Sequence, residues 1–457
     1  MSEREFDAIV IGAGPAGEVC AGRLADGGLD VALVEQQLVG GECSYWACMP
    51  SKALLRPGEL LEEIDRVPGV RELVRGSLDP EIVLRRRDEV IHDRDDSSQM
   101  PWLEQRDIEL FRSRATLAGE RTVEAGDETL RARRAVVLAT GTVAAVPPID
   151  GLAEARPWTN REATNAEQVP GRLLVLGGGV VGVEMAQAWA SLGASVAIVE
   201  AASRLVAGEE PFVSEEVAAG LERSGVELHV GAKASAASRG EGGQLTLTLG
   251  GGEELRGDEL LVAVGRRPRT DDIGLESAGV KPGGYLETDD LLRVGGSDWL
   301  YAIGDVNGRA LLTHMGKYQA RVAADSILGK DPAPATSEQL GSPRVIFTDP
   351  QVAAVGLTLD KARERGLEVR AVDAQTSANA GASFIGRNAP GTSRLVIDED
   401  RHVIVGATFV GPEIAESLHA ATIAVVAEVP LDRLWHAVPT FPTRNEVWLK
   451  LLEEYGL

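Results

Sequence analysis

The chain is short of cysteine, of positive charge and of N-terminal apolar sequence. Three cysteines stand in 457 residues, and 46 Lys and Arg face 70 Asp and Glu, a balance of 46 − 70 = −24 spread along the chain and not gathered in a tail. A surface of that sign repels phosphate backbones and anionic bilayers, so no nucleic-acid partner and no membrane surface is expected. The apolar run Ala8 to Ile11 is too short for a secretory signal or a membrane span, which predicts a cytoplasmic protein with no membrane insertion. In that compartment a structural disulfide is rare, and a close cysteine pair reads as catalytic or metal-binding. No second Cys or His pair supplies further ligands at a familiar spacing, so no metal site is assigned.

What is present is concentrated in one stretch, Gly40-Gly41-Glu42-Cys43-Ser44-Tyr45-Trp46-Ala47-Cys48-Met49-Pro50-Ser51-Lys52. Cys43 and Cys48 are near enough in sequence to close a small disulfide ring, and Lys52 can supply positive charge beside a developing thiolate. Two small buried core residues are the alternative. The compartment argument favours the redox pair.

Around this stretch the chain writes one pattern twice. Phe6 to Ile11 is an apolar strand leading into Gly12, Gly14 and Gly17, a helical segment Glu18 to Ala25, and a second strand, Val31 to Val34, that ends at Glu35. Glycines at these positions allow a tight turn, close approach of a pyrophosphate and helix packing, while the acid meets ribose hydroxyls. Leu173 to Leu176 then leads into Gly177, Gly179 and Gly182, a helix from about Val183 to Ser191, and a strand from Ser195 to Glu200. Gly17 to Glu35 and Gly182 to Glu200 both span eighteen residues, and Val136 to Gly141 stands to the first copy as Leu260 to Gly265 stands to the second. Two dinucleotide sites in one chain predict two nucleotides bound together.

The remaining segments frame these sites. Residues from Lys52 to about Gln105 read as long helices with polar faces, with Arg85-Arg86-Arg87 on a solvated one, and residues 108–130 read as short antiparallel strands. Trp299 to Asp305 is a strand that delivers an aspartate at its C-terminal end, and a helix follows from about Thr313 to Leu328. Beyond a linker, Gly329 to Ser342, come strands Arg344–Phe347, Val352–Leu357, Ser393–Ile397 and His402–Val410 and helices Ile414–Glu428 and Glu446–Leu452, a separate α+β domain. Cys20, in the first helix, reads as core. The parts together suggest a relay, from a nicotinamide through a tightly held flavin to a Cys43–Cys48 disulfide.

These motifs resemble the flavoprotein disulfide reductases that include dihydrolipoamide dehydrogenase, glutathione reductase and mercuric reductase. The resemblance rests on GGxCxxxxCxPSK at Gly40 to Lys52, the two glycine fingerprints, ATG at Ala139 to Gly141, VGRRP at Val264 to Pro268 and AIGD at Ala302 to Asp305. It implies an α/β chain with two Rossmann-like domains, an FAD domain (1–150 and 270–342) interrupted by an NAD(P) domain (151–269), and a C-terminal α+β domain (343–457) that forms a homodimer. It further implies that Glu35 holds the FAD ribose and Asp305 its ribityl chain, with Thr140, Gly141 and Gly265 also counted among the cofactor-binding residues. Cys48 would face the flavin, Cys43 would meet substrate, and Lys52 would sit near the flavin paired with Glu184. Glu200 favours NADH over NADPH, because a carboxylate there repels a 2′-phosphate, although Arg204 lies close by.

The departures concern the acceptor. Members that work on dithiols carry His-Pro-Thr-x-x-Glu near the C-terminus, the histidine acting on the partner subunit's substrate. Here Pro442-Thr443 matches with Phe441 in the histidine position and Glu446 retained, whereas the alternative match at Pro439-Thr440 puts Val438 there and Thr443 at the glutamate. Either register lacks the acid/base histidine, with His436 nearby, and the C-terminal cysteine pair of mercuric reductases is absent. Tyr45 and Trp46 replace smaller residues in the redox loop and either narrow access to Cys43 or pack against the C-terminal domain. The expected activity is electron transfer from NADH to a disulfide or another small-molecule acceptor. The alternatives are a quinone or metal-ion reductase that bypasses the cysteines, and a flavin-based redox sensor with little turnover.

Overall fold

The computed structural model describes residues 2–457 and divides into two compact units. The first comprises the residues up to Pro50, Asp88–Ala145 and Arg266–Glu338; the second comprises Ser51–Arg87, Val146–Gly265 and Gln339–Leu457.

In the first unit a seven-stranded sheet runs in the order Glu109–Phe111, Val31–Val34, Ser2–Ile11, Glu128–Leu138, Thr122–Ala125, Ala115–Gly119, with Leu300–Ala302 also pairing to Glu128–Leu138. The pairs around Ser2–Ile11 are parallel, with Val10 opposite Leu33 and Val137. Their stretches Ala8–Ile11, Val31–Val34 and Ala135–Leu138 are apolar without a break because both faces are covered. Ile9, Ile11, Val136 and Leu138 point into one core, while Ala8, Val10, Ala135 and Val137 point into another. Glu128–Leu138 changes character along its length: Leu130 and Ala132 are buried between exposed Arg131 and Arg133, and here the strand pairs antiparallel with Thr122–Ala125. The helix Pro15–Asp26 lies along the helix Thr313–Ile327, where Ala16 meets Gly316 and Arg23 donates to both Asp325 oxygens at 2.9 and 2.5 Å.

The second unit repeats the nucleotide-site design with four parallel strands, ordered Glu227–Val230, Ser195–Glu200, Arg172–Leu176, Glu259–Val262. Its strands alternate in the same way, with Val175 and Ile198 on one buried face and Leu174 and Val199 on the other. The C-terminal part is a five-stranded antiparallel sheet backed by helices Leu418–Val426 and Val447–Tyr455.

The structure differs from the sequence expectations at residues 52–105, at Arg87 and in strands such as Val369–Gln375 that the pattern does not announce. Residues 52–105 form one long helix, Cys48–Arg66, a shorter one, Pro80–Val90, and then short turns. Arg87 is buried, and its Nη1 donates to the carbonyls of Thr164 and Ala166 at 2.6 and 3.0 Å, so only Arg85 and Arg86 face solvent. A strand at Val369–Gln375 went unread because it is an edge strand with a single buried residue, Val372.

Trp189 is fully buried on the helix Val180–Ser191 beside Trp158, with ring centroids 6.0 Å apart. Truncation to alanine is expected to cost about 3–5 kcal/mol, read as a lower urea midpoint at unchanged slope.

Candidate functional site

The two glycine turns have nearly the same local geometry. Gly12 and Gly177 sit at φ +101° and +112°, and a Cβ on Gly17 or Gly182 would stand 1.9 Å from the carbonyl oxygen of Gly12 or Gly177. A methyl group at either position is excluded. Gly14 and Gly179 have open space where a side chain would stand, and no side chain caps the helices that begin there. Glu35 accepts from Ala13 N at 2.8 Å and Gln37 N at 2.7 Å; Glu200 accepts from Gly178 N and Ala202 N, both at 2.6 Å. Each acid is therefore locked beside its turn. The arrangement fits a dinucleotide at both turns: an uncapped helix end for the pyrophosphate and a fixed carboxylate for ribose.

Arg204 is engaged within its own stretch of chain. Its Nη1 donates to Ser214 Oγ at 2.7 Å and the Glu209 carbonyl at 3.0 Å, and its Nη2 to the Ala207 carbonyl at 2.7 Å.

The redox loop leans on the first glycine turn. Gly40 and Gly41 have φ +115° and +60°, Gly40 N donates to the Ala13 carbonyl at 2.8 Å, and a Cβ on Gly41 would lie 2.7 Å from Gly14 Cα. Cys43 lies in the short helix Gly41–Tyr45, and Cys48 opens the helix Cys48–Arg66. Thr313 at the start of its helix donates its hydroxyl to Cys43 Sγ at 3.1 Å and stands 3.5 Å from Cys48 Sγ. The hydrogen bond with Cys48, then burial, push the Cys43 thiol up, while Thr313 and the Lys317 charge one turn along the helix pull it down. Cys43 and Cys48 are hydrogen-bonded to each other, so the two thiols titrate as one coupled pair. Tyr45 is buried with its hydroxyl donating to the Val39 carbonyl at 3.1 Å and its ring edge against Trp46 at 5.7 Å, so Tyr45 packs the loop on itself. Cys20 is fully buried and its thiol is pushed up to about 12, as expected of a core residue.

Lys52, one turn beyond Cys48, donates to Glu184 Oε2 at 2.7 Å; Glu184 Oε1 accepts from Phe347 N at 2.9 Å, and the Phe347 ring centre lies 4.7 Å from the ammonium. Asp305 receives the Thr142 hydroxyl at 2.9 Å, and burial pushes its carboxyl up. Thr140 donates to the Arg269 carbonyl at 3.0 Å, while Gly141 and Gly265 are at φ +70° and +137°. Four residues outside the sequence assignment join these groups: Thr313, Thr142, Arg266 and Glu42. Arg266 donates to Glu42 at 2.7 Å and to the Thr142 hydroxyl at 2.6 Å. Arg266 lies in the VGRRP motif and Glu42 precedes Cys43, which was signal enough to mark both. Thr313 stands alone in its segment and carried no signal.

At the C-terminus, Phe441 and Val438 are 72% and 83% exposed, and His436 is exposed. Glu446 accepts from Gly381 N at 3.4 Å. Among the described residues no cluster of three or more His, Cys, Asp or Glu could hold a metal ion, and no helix is long and apolar enough to cross a membrane.

Comparison with known proteins decides the family. The family described as "Pyridine nucleotide-disulphide oxidoreductase" matches residues 6–324, and its dimerisation domain matches residues 342–452. The chain belongs to the pyridine nucleotide-disulphide oxidoreductase family. It is 32% identical over 452 residues to a dihydrolipoyl dehydrogenase of Chlamydia muridarum, covering 97% of this chain and 95% of that one. It is 28% identical to a mercuric reductase of Staphylococcus aureus, covering 97% and 81%. Among solved structures, the Cu(II) complex of the HOCl-induced flavoprotein disulfide reductase RclA from Escherichia coli superposes with a TM-score of 0.87 at 25% identity, covering 98% and 99%. As a member of this family the protein is an FAD-dependent oxidoreductase that uses a pyridine nucleotide, and its dimerisation domain supports a homodimer.

Two outcomes follow from the geometry. Gly17→Ala should yield protein that retains little FAD, and Gly182→Ala protein that retains FAD but is reduced by nicotinamide only at raised concentration, read by flavin absorbance and titration. Lys317→Met removes a charge that lowers the Cys43 pKa, so iodoacetamide should label Cys43 about 1.5- to 5-fold more slowly at fixed pH, the effect of an exposed pair worth ~0.2–1 kcal/mol.

Proposed function

We propose that the protein oxidises NADH and passes the electron pair through the Cys43–Cys48 couple to a small-molecule disulfide, as NADH + H⁺ + RSSR → NAD⁺ + 2 RSH. The observation that carries this reading is the Cys43–Thr313–Cys48 contact, with hydroxyl to sulfur distances of 3.1 and 3.5 Å beside the first dinucleotide turn. FAD held at that turn supplies two-electron exchange between a nicotinamide hydride and a disulfide. The chain's own residues do the rest. Gly12, Gly14, Gly17 and Glu35 seat the first dinucleotide, with Thr140, Gly141 and Asp305 along it; Gly177, Gly179, Gly182, Glu200 and Gly265 serve the second. Cys48 is the thiolate of the pair and Cys43 the protonated thiol that meets substrate. Lys52, fixed by Glu184, adds positive charge at the base of the Cys48 helix. Residues 1–150 and 270–342 form the FAD part, 151–269 the NAD part and 343–457 the dimer-forming part, in a cytoplasmic enzyme.

NADH rather than NADPH is favoured by the hydrogen bonds of Glu200 and Arg204. The carboxylate stands fixed beside the second turn, and the guanidinium that could have paired with a 2′-phosphate is spent on Ser214 and two carbonyls. Like charge opposite the phosphate costs several kcal/mol, so kcat/KM for NADH should exceed that for NADPH by about 100-fold or more, and Glu200→Gln should narrow the gap.

A second reading is a reductase for a quinone or soft metal ion. Phe441 in the place of the acid/base histidine favours it, since a disulfide needs a proton on each leaving thiolate, a contribution of roughly 10²- to 10⁴-fold. The mercuric reductase and the Cu(II) complex among the similar proteins point the same way. Cys43→Ser separates the readings: loss of turnover with disulfide acceptors supports the cysteine route, and undiminished turnover with every acceptor would contradict it.

A further inference from the structure

Glu42 and Arg266 are drawn from segments 224 residues apart, yet they meet in one hydrogen-bonded ion pair within the first unit. Arg266 opens the strand Arg266–Pro268, by which the chain re-enters this unit, and that strand pairs antiparallel with Thr142–Ala144, by which it leaves. The guanidinium therefore grows from a two-stranded stem. Its Nε donates to Thr142 Oγ1 at 2.6 Å, and its Nη2 donates to the Thr142 carbonyl at 3.0 Å and to Glu42 Oε2 at 2.7 Å. Thr142 passes its own hydroxyl proton to Asp305 Oδ2 at 2.9 Å, which also lies 4.0 Å from Arg266 Nε. Arg269, three residues along, brings a second guanidinium to 3.7 Å from Glu42. The side chains of Arg266, Glu42 and Asp305 are only 22%, 21% and 29% exposed, so these charge-assisted bonds are shielded from solvent more than a surface ion pair is.

Glu42 is the residue before Cys43, on the same short helix. Anything that fixes its carboxylate fixes the start of the redox loop. We propose that Arg266 is a positioning residue for the cysteine step, tying the redox loop through Glu42 to the Thr142 turn and to Asp305. This rests on the reading that Cys43 and Cys48 exchange electrons with bound FAD. A lysine cannot substitute, because a single ammonium on a flexible stem does not span Thr142 and Glu42 as a planar fork does.

The test uses the FAD-loaded protein, reduced with a small thiol and labelled with iodoacetamide at limiting reagent, followed by peptide mapping of Cys43 and Cys48. This partition of label does not depend on turnover, so it reports on the tie even where Cys43→Ser has shown that the pair has no part in catalysis. Arg266→Lys and Glu42→Gln should each change the Cys48-to-Cys43 labelling ratio by about fivefold or more, and the double variant by no more than the larger single effect, because both remove one interaction. A ratio within twofold of the parent in both variants would overturn the proposal, as would additive effects in the double. Should Arg266→Lys fail to fold, as judged by its thermal midpoint, Glu42→Gln carries the test alone.

Discussion

The first unit depends on a contact that only glycine allows. Gly17 stands where a Cβ would meet the Gly12 carbonyl at 1.9 Å, and Gly41 where one would meet Gly14 Cα at 2.7 Å. The first contact seats a helix end on a strand end. The second presses the redox loop onto the same turn, so the turn proposed for a pyrophosphate and the place where two cysteines meet are set by adjacent backbone atoms. Side chains then adjust what the backbone has brought together: Thr313 touches both sulfurs, and Arg266 donates to Glu42 at the start of the loop.

The same backbone device at Gly177 and Gly182 serves a different end in the second unit. There the helix is almost wholly buried, and the one charged group it carries inward, Glu184, is answered by the Lys52 ammonium and the Phe347 amide. A carboxylate that deep is tolerated only when both oxygens are satisfied. Its placement links the helix that carries Lys52 to the helix Val180–Ser191 and to the chain just after the strand Arg344–Ile346.

Much of this was legible in the residues alone because it is local. Strand, glycine turn, helix, strand and terminal acid fall within about thirty residues, and each part has its own physical signature. The helix pairing of Ala16 with Gly316 and the hydroxyl of Thr313 at the cysteines were not legible, since Thr313 lies 270 and 265 residues from Cys43 and Cys48, Gly316 lies farther still from Ala16, and no spacing rule reaches that far. Arg87 misled for a related reason: within its own helix it sits in a run of arginines, and only the carbonyls of Thr164 and Ala166 explain its burial. At the C-terminus the residue types alone show Pro442-Thr443 and Glu446, with Phe441 exposed before them.

The central claim is that electrons from NADH reach the cysteine pair and leave Cys48 ionised. An anaerobic titration of the purified protein with NADH, followed through the visible spectrum of its flavin, tests it most directly. A long-wavelength band that grows while the flavin remains oxidised is the predicted result, the mark of a thiolate held against the ring. Direct bleaching of the flavin with no such band would mean that the pair is bypassed, and would contradict the account.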